Sequence, residues 1–454
     1  MSKQKYTETI SKLDYIGIRA FTARELHQLM DDLSKAIEIG IKREGPKNAS
    51  DHGLLAFPTG IKPISQDSLT AVPDGQKVIT CACGGTNWVF TVATKQKDGN
   101  VKLGEESIRP ILEQERVHTL ASLIDIIATE IYKVAKIYDL LEVANLPIAV
   151  SFGFPQTTMV LKNGDIDARL NRKNLVKFWQ ITDIDETLAP EDQPSITEAL
   201  RAALIKKGLK SVGAVVIVND TVAVAFDVQH VAVQNKGGDL PVGFVFGTGT
   251  NATMYSGDDK GFVNLEAGHA HIMPDNLVYQ TMEKLQLIPE CGREVEFWLG
   301  GGFLPARLAA MVHIFSDFFT DAQQVSSVLT AGINQALISD IAQNISPKDI
   351  HLRVGPYEYR VLVEAAQRVL VQAGQLCAVM IASVASATGY QKGKAFVPYE
   401  GSLLGKGYQV AETTEKTLKI LLPESDITPY HAFGLSGVAK LAMWRSLEKR
   451  FDNV

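Results

Sequence analysis

After Thr22, the apolar residues Leu26, Leu29, Met30, Leu33 and Ile37 recur at helical spacing, and Thr22-Ala-Arg-Glu25 has the form of a capping box. This pattern predicts a helix to Ile41. Residues 44–75 are rich in Gly, Pro, Ser and Asp and read as irregular chain. Val78-Ile-Thr-Cys-Ala-Cys83 then reads as a buried strand ending at Gly84-Gly85, with Trp88-Val-Phe-Thr-Val-Ala93 returning beside it. The arrangement comes back in the second half, where Val242–Phe246 leads into Gly247-Thr-Gly-Thr250 and Asn251–Tyr255 leads out. Two glycine hairpins, one in each half, predict two related lobes facing one another.

Between the hairpins lie a helical stretch around Thr119–Leu141, a strand Ile148–Phe154 and a polar segment Pro190–Pro194. Ser195-Ile-Thr-Glu198 is a second capping box, opening a helix to Lys207 that Gly208 closes. Ala214-Val-Val-Ile-Val218 has the β-branched content of a fully buried strand, runs into Asn219-Asp220, and becomes apolar again at Val222–Phe226. Asp220 is therefore expected at a strand end, flanked by apolar strand residues. From Leu362 to Met380 the apolar spacing predicts a long core helix. Strands and helices intermix throughout, which makes this an α/β protein with mixed sheets flanked by helices.

The 454 residues exceed one simple core, and two lobes are the natural division. With 46% hydrophobic and 21% charged residues, the chain is neither disordered nor fibrous. A net charge of -6, from 45 Lys+Arg against 51 Asp+Glu, lacks the concentrated basic surface a nucleic-acid partner needs, yet allows small anions held by backbone N–H groups. Cys81, Cys83, Cys291 and Cys377 show no framework spacing, which suits a reducing compartment. Cys81-Ala-Cys83 reads as a pair of core strand cysteines rather than half a zinc site, and no protein metal ligands are expected. Met1–Asp14 is polar, without the apolar centre of a signal peptide, and the longest apolar run, Leu376–Ala387, is too short to span a bilayer. A cytoplasmic protein without a membrane partner is expected; oligomeric state is not encoded legibly.

Gly84, Gly85, Thr86 and Asn87 form one tight turn and Gly247, Thr248, Gly249 and Thr250 another; small residues there let N–H groups and hydroxyls approach phosphate oxygens. Either turn alone reads better as an ordinary β-turn, since such turns are common. As a pair around Asn219-Asp220, they favour phosphate. Asp220 fits a general base that accepts the proton of an attacking hydroxyl, worth about 10² to 10⁴ in rate. The alternative is an Asx-turn aspartate that merely closes the strand.

Val215-Val-Ile-Val-Asn-Asp-Thr-Val222 resembles the V-V-N-D-T-V segment of eukaryotic-type hexokinases, and Val245-Phe-Gly-Thr-Gly-Thr-Asn-Ala252 resembles their V-G-T-G-T-N-A. Val263-Asn-Leu-Glu-Ala-Gly268 is similar to N-T-E-W-G, Phe57-Pro58-Thr59 to L-P-T, Gly84–Asn87 to L-G-G-T-N, Phe154-Pro155 to F-S-F-P, and Tyr399-Glu-Gly-Ser402 to V-D-G-S. The matches keep family order from near residue 57 to near residue 440. The resemblance implies a two-lobed actin-like (ribonuclease H-like) fold, with residues 20–75 plus 221–440 as large lobe and 76–220 plus 441–454 as small lobe. It implies an ATP- and Mg2+-dependent hexokinase acting on a hexose, glucose foremost, at the 6-hydroxyl, with Asp220 as base. Asn219, Asn251, Glu266 and Glu296 would bind sugar hydroxyls, the last through a loose match of Val295–Gly301 to F-E-K-M-x-S-G, with Ser151, Phe154 and Pro155 beside them. The two turns would hold phosphates, with Gly401, Ser402, Ser436 and Gly437 near the nucleoside.

The chain departs from the family at several points. Where the family's D-L-G-G-T-N-F-R carries aspartate and arginine, this chain has Ala82 and Val89, losing charges that serve Mg2+ and phosphate. The serine of F-S-F-P falls at Gly153, and W-T-K-G is matched only by Trp179-Gln-Ile-Thr182, leaving Ser151, Arg172 or Lys173 as substitutes. The retained Asp220 favours an enzyme; Ala82 favours a non-catalytic sugar- or nucleotide-binding sensor. Another actin-like ATPase or carboxylate kinase is a third reading, against which the Asn-Asp-Thr element and Glu266 argue. The zinc cluster of bacterial repressor-type sugar kinases is not visible.

Overall fold

A computed structural model describes residues 3–42, 54–64, 66–84, 87–111, 117–154, 156–170, 180–227, 238–257, 259–288, 294–331, 335–345 and 352–451. The strands are β1 (Phe57–Pro58), β2 (Lys77–Cys83), β3 (Asn87–Lys95), β4 (Val101–Leu103), β5 (Ser107–Pro110), β6 (Val117–His118), β7 (Leu146–Phe152), β8 (Thr157–Val160) and β9 (Ile166–Arg169). They continue as β10 (Gln180–Ile181), β11 (Val212–Asn219), β12 (Gly238–Asp239), β13 (Val242–Phe246), β14 (Thr250–Tyr255), β15 (Phe262–Asn264), β16 (Gly393–Glu400) and β17 (Ser425–His431). The helices used below are α1 (Lys3–Lys12), α2 (Ala23–Lys42), α3 (Leu120–Ile137), α4 (Ile196–Lys207), α5 (Asp220–Asp227), α6 (Val295–Leu299), α7 (Pro356–Ala387), α8 (Val410–Leu421) and α9 (Gly434–Phe451).

One sheet runs β4-β3-β2-β7-β11-β9-β8, with β5 also on β3; the other runs β1-β15-β14-β13-β16-β12, with β17 on β16. Inside them, β4-β3-β2-β7-β11 and β15-β14-β13-β16-β17 have the same spatial order. Each begins as an antiparallel meander around a glycine hairpin, β2–β3 or β13–β14. Each then crosses by a helix, α3 or α7, to a parallel fourth strand, and by α4 or α8 to a parallel fifth. The chain has thus built one unit twice, as the two hairpins predict. The fifth strands lead into α5 and α9, which pack on each other. Helix α5 leaves the first sheet and lies on β13 of the second; α9 leaves the second and lies on β2, β7 and β11 of the first. Each lobe has its own apolar core, and a third cluster, with Val78, Val216, Val222, Phe226, Phe262 and Val438, joins them.

The caps follow local chemistry. Thr22 N–H donates to Glu25 Oε2 at 2.8 Å, opening α2, and Ser195 Oγ accepts from Glu198 N–H at 3.1 Å, opening α4, which Gly208 closes at φ 111°. Cys81 and Cys83 are buried strand residues, and the described residues include no group of three or more metal-ligating side chains.

Two expectations change, and one helix appears where none was predicted. Val222–Phe226 is helix, not strand: every residue of α5 after Asp220 is buried, and burial worth about 1.5–3 kcal/mol per large apolar side chain outweighs a helix penalty of a few tenths for valine. The polar N-terminus forms α1, anchored by Tyr6 against Tyr357 with ring centroids 5.8 Å apart. The apolar run judged too short to span a bilayer belongs to α7, whose 32 residues are by length and composition enough to do so, but almost all of its apolar window is buried within the large core.

Candidate functional site

Asn219 ends β11 and Asp220 begins α5, so the strand-to-helix turn presents both side chains where the two sheets meet. Asn219 Oδ1 accepts from Thr221 N–H at 3.0 Å and Thr221 Oγ1 at 2.6 Å, which caps the helix. It also accepts from Asn251 Nδ2 at 3.4 Å, leaving the Asn219 amide donors without a protein partner among the described residues. Asn251 Nδ2 donates to Asn264 Oδ1 at 2.9 Å, and Asn264 Nδ2 donates to Glu266 Oε1 at 2.8 Å. Asn251 Oδ1 accepts from Ala252 and Ala267 N–H, so this residue braces the network with all its polar atoms. Glu266 sits at φ 47°, a left-handed conformation that costs a non-glycine residue free energy and is tolerated where the surroundings enforce it.

Past Glu266 the network continues through residues that have no counterpart among those expected from the sequence. His269 Nε2 lies 3.8 Å from Glu266 Oε2 and its Nδ1 3.5 Å from Glu294 Oε2; His271 Nε2 is 3.6 Å from Glu294 Oε1. Burial works to lower the His269 pKa, but the interaction with Glu294 and the charges of Glu266 and Glu296 raise it to about 9. Glu296, on α6, joins the same group. Burial pushes its carboxyl up; His269 opposes this, Glu294 and Glu266 add to it, and the Thr250 N–H opposes it. Asn264 lay inside the quoted Val263–Gly268 segment and was legible there; nothing local ties His269 to Glu294 across 25 positions.

Asp220 Oδ1 accepts from Thr221 N–H at 2.8 Å. The Asx turn belongs to Asn219, whose Oδ1 reaches Thr221 N–H two residues on, whereas Asp220 receives the N–H of its immediate neighbour. Burial, then the charges of Glu266 and Glu400, raises its pKa to about 7, with backbone N–H groups opposing. Gly153 touches it: a Cβ there would stand 3.1 Å from Asp220 Oδ2 and 3.5 Å from Gly84 Cα, so the carboxylate is next to the first glycine turn. Gly84 O accepts from the Trp88 indole at 3.0 Å and Asn87 is exposed at the start of β3, while Gly85 and Thr86 lie outside the described residues.

The second turn is braced from behind. Gly301 N–H donates to Gly247 O at 2.8 Å and Gly302 N–H to Thr248 O at 2.9 Å. Thr250 is buried, with its hydroxyl on Met380 Sδ at 3.7 Å, while Thr248 and Gly249 remain partly exposed. A Cβ on Gly249 would stand 2.5 Å from Glu296 Oε1, and one on Gly401 2.2 Å from Phe246 O. The fold thus brings Asp220, Asn219, Asn251, Glu266 and Glu296 together with Gly247–Thr250 and Gly401. Ser402 is exposed at the start of a short helix, and Ser436 is buried in α9. Gly437 packs in the α5–α9 crossing, where a Cβ would meet Ala223 O at 1.9 Å. Phe154 is buried in the small-lobe core, edge-on to Phe152 at 4.7 Å. Ser151 points to the α9 face of its sheet, near Gly434. Pro155, Arg172, Lys173 and Trp179 lie outside the described residues.

Residues 18–230 match the family model described as hexokinase. No curated protein sequence matches. A Schistosoma mansoni hexokinase solved with glucose has a similar structure, with 17% identity and a TM-score of 0.74 over 98% of this chain and 100% of that one. A second crystal structure of a hexokinase aligns with 16% identity and a TM-score of 0.66 over the same shares. The hexokinase match covers residues 18–230, somewhat less than half of the chain, and the duplicated strand order over the whole chain is the actin-like fold of those hexokinase structures.

Proposed function

We propose that this chain phosphorylates a hexose, glucose foremost, at the 6-hydroxyl from ATP, with Asp220 as general base. One observation carries the reading: a carboxylate whose pKa is raised to about 7 lies beside the first glycine turn and shares its surroundings with a linked set of amides and carboxylates. A base poised near neutral pH both exists in its ionised form and drives proton removal from an alcohol. Asn219 offers donors, and Glu266 and Glu296 offer acceptors, to neighbouring sugar hydroxyls. Such a site penalises a ligand lacking one of them, because a buried polar group is then left unpaired. Backbone N–H groups of the two turns suit the phosphates of ATP. Mg2+ bound with the nucleotide would neutralise phosphate charge, and Ser151, 2% exposed with no hydrogen-bond partner for its hydroxyl among the described residues, is a polar group that fits such a complex.

The test is sugar-6-phosphate formation with Mg·ATP, screened over glucose, mannose, fructose and N-acetylglucosamine, with Asp220→Ala as control. Turnover falling by about 10² or more in the control supports the reading. A second reading, a sugar- or nucleotide-binding sensor, is favoured by Ala82 and Val89, which face one another as cross-strand partners in the β2–β3 hairpin. Their joint replacement leaves neither member of a charge pair unpaired. Calorimetric binding of sugar or nucleotide without turnover would select that reading.

A further inference from the structure

Ala82 pairs with Val89 on one side and with Ser151 of β7 on the other, so the three form a row across the sheet. Thr80, two residues before Ala82 and on the same face, donates its hydroxyl to Leu435 O at 2.9 Å, which sets the start of α9 over this face. Ala82 and Val89 are half-buried, and neither carries charge. Ser151 is buried, and its hydroxyl has no hydrogen-bond partner among the described residues. Its oxygen keeps contact with solvent, so it is open to a ligand or to water.

The point toward which Ser151 aims is occupied from the other lobe. A Cβ on Gly434 would stand 3.5 Å from Ser151 Oγ and 2.7 Å from Glu400 Oε2, so both oxygens border the same small space. Glu400 is the last residue of β16. Its Oε2 accepts from Gly434 N–H at 3.1 Å, and its Oε1 has no protein partner among the described residues. The next residue, Gly401, abuts Phe246 and Gly247 of the second phosphate turn. One side chain therefore connects the phosphate turn of the large lobe with the face of the small lobe on which Ala82 lies.

We infer that Glu400, with the Ser151 hydroxyl, orders the divalent cation accompanying the nucleotide phosphates, supplying from the large lobe the carboxylate that Ala82 does not supply from the small one. The inference rests on the nucleotide reading of this site. Mg2+ is ordinarily held by one or two carboxylates together with water and phosphate oxygens, so Glu400 and Ser151 suffice without a cluster of three protein ligands. With one ligand from each lobe, cation binding also favours the arrangement in which the lobes approach. If Glu400 only caps α9 through Gly434 N–H, glutamine, which keeps that acceptor, will serve equally well.

The probe is Mn2+ with ADP, followed by water-proton relaxation and by calorimetry on the full chain. Wild type is expected to bind Mn2+·ADP about tenfold more tightly than ADP alone. Glu400→Gln should abolish most of that ratio while leaving ADP affinity within about twofold, and Ala82→Asp added to Glu400→Gln should restore part of it. Ser151→Ala, which preserves the Glu400–Gly434 contact, should reduce the ratio about threefold and serves if Glu400→Gln folds poorly. An unchanged Mn2+·ADP to ADP ratio in Glu400→Gln, or in Ser151→Ala where only that variant folds, overturns the inference. Wild type that binds neither form of ADP overturns the nucleotide reading itself, and this inference with it.

Discussion

Replacing Asp220 with asparagine separates two consequences of one charge. The carboxyl is raised from 3.8 to about 7, chiefly by burial and then by Glu266 and Glu400. Between those values the folded chain keeps a proton that the unfolded chain has released, so the penalty on folding is absent at low pH, grows as pH rises, and is complete above about 7. At 1.36 kcal/mol per unit the ceiling is about 4 kcal/mol; Asp220 is only partly buried by exposed surface, and screening reduces the expected value to about 2 kcal/mol. Asparagine keeps the oxygen that accepts from Thr221 N–H at 2.8 Å and removes the charge. Urea unfolding should therefore show Asp220→Asn more stable than wild type at pH 8 by about 2 kcal/mol and by less than half of that at pH 5. Sugar phosphorylation should fall by about 10² to 10⁴, and the wild-type kcat/KM should decline with unit slope below about pH 7. A stability gain equal at both pH values would refute the electrostatic reasoning. Activity within tenfold of wild type would refute the role as base.

Other perturbations test the frame around the site. The raised pKa of His269 contributes stability that is complete below 6.5 and disappears as pH rises through about 9, so His269→Ala should cost about 2 kcal/mol at pH 6, after allowance for its exposure, and almost nothing at pH 10. Denaturation at both pH values checks this, and calorimetry should show weaker sugar binding in the variant at pH 7. Lys440 donates to Asp227 Oδ1 at 2.8 Å and Asp227 O at 2.9 Å in a buried pair; Lys440→Met leaves a buried carboxylate and should cost about 3–5 kcal/mol by urea unfolding, partly recovered by adding Asp227→Asn. A loss under about 1 kcal/mol would show that the pair is not buried as described. Gly437→Ala places a methyl 1.9 Å from Ala223 O, where backbone cannot yield, so circular dichroism melting should show a large loss of stability and calorimetry a loss of ligand binding.

What the sequence by itself determined were features whose chemistry lies within a few adjacent residues: the capping boxes at Thr22 and Ser195, the two glycine hairpins, the duplication they imply, and the Asn219-Asp220 turn. Each is set by local backbone geometry or by side chains reaching their own neighbours, so it survives translation into one dimension. Only the tertiary structure decided that Val222–Phe226 is a helix, because its burial between the two sheets overrides valine's preference for strand. Only it paired Ala82 with Val89 and Ser151, joined His269 to Glu294, and set Glu400 beside Gly434. These contacts depend on strand register and on how the lobes meet, which are fixed by the summed packing of residues far apart in the chain. The protonation of Asp220 belongs with them, since its desolvation and the charges of Glu266 and Glu400 exist only once the lobes are assembled.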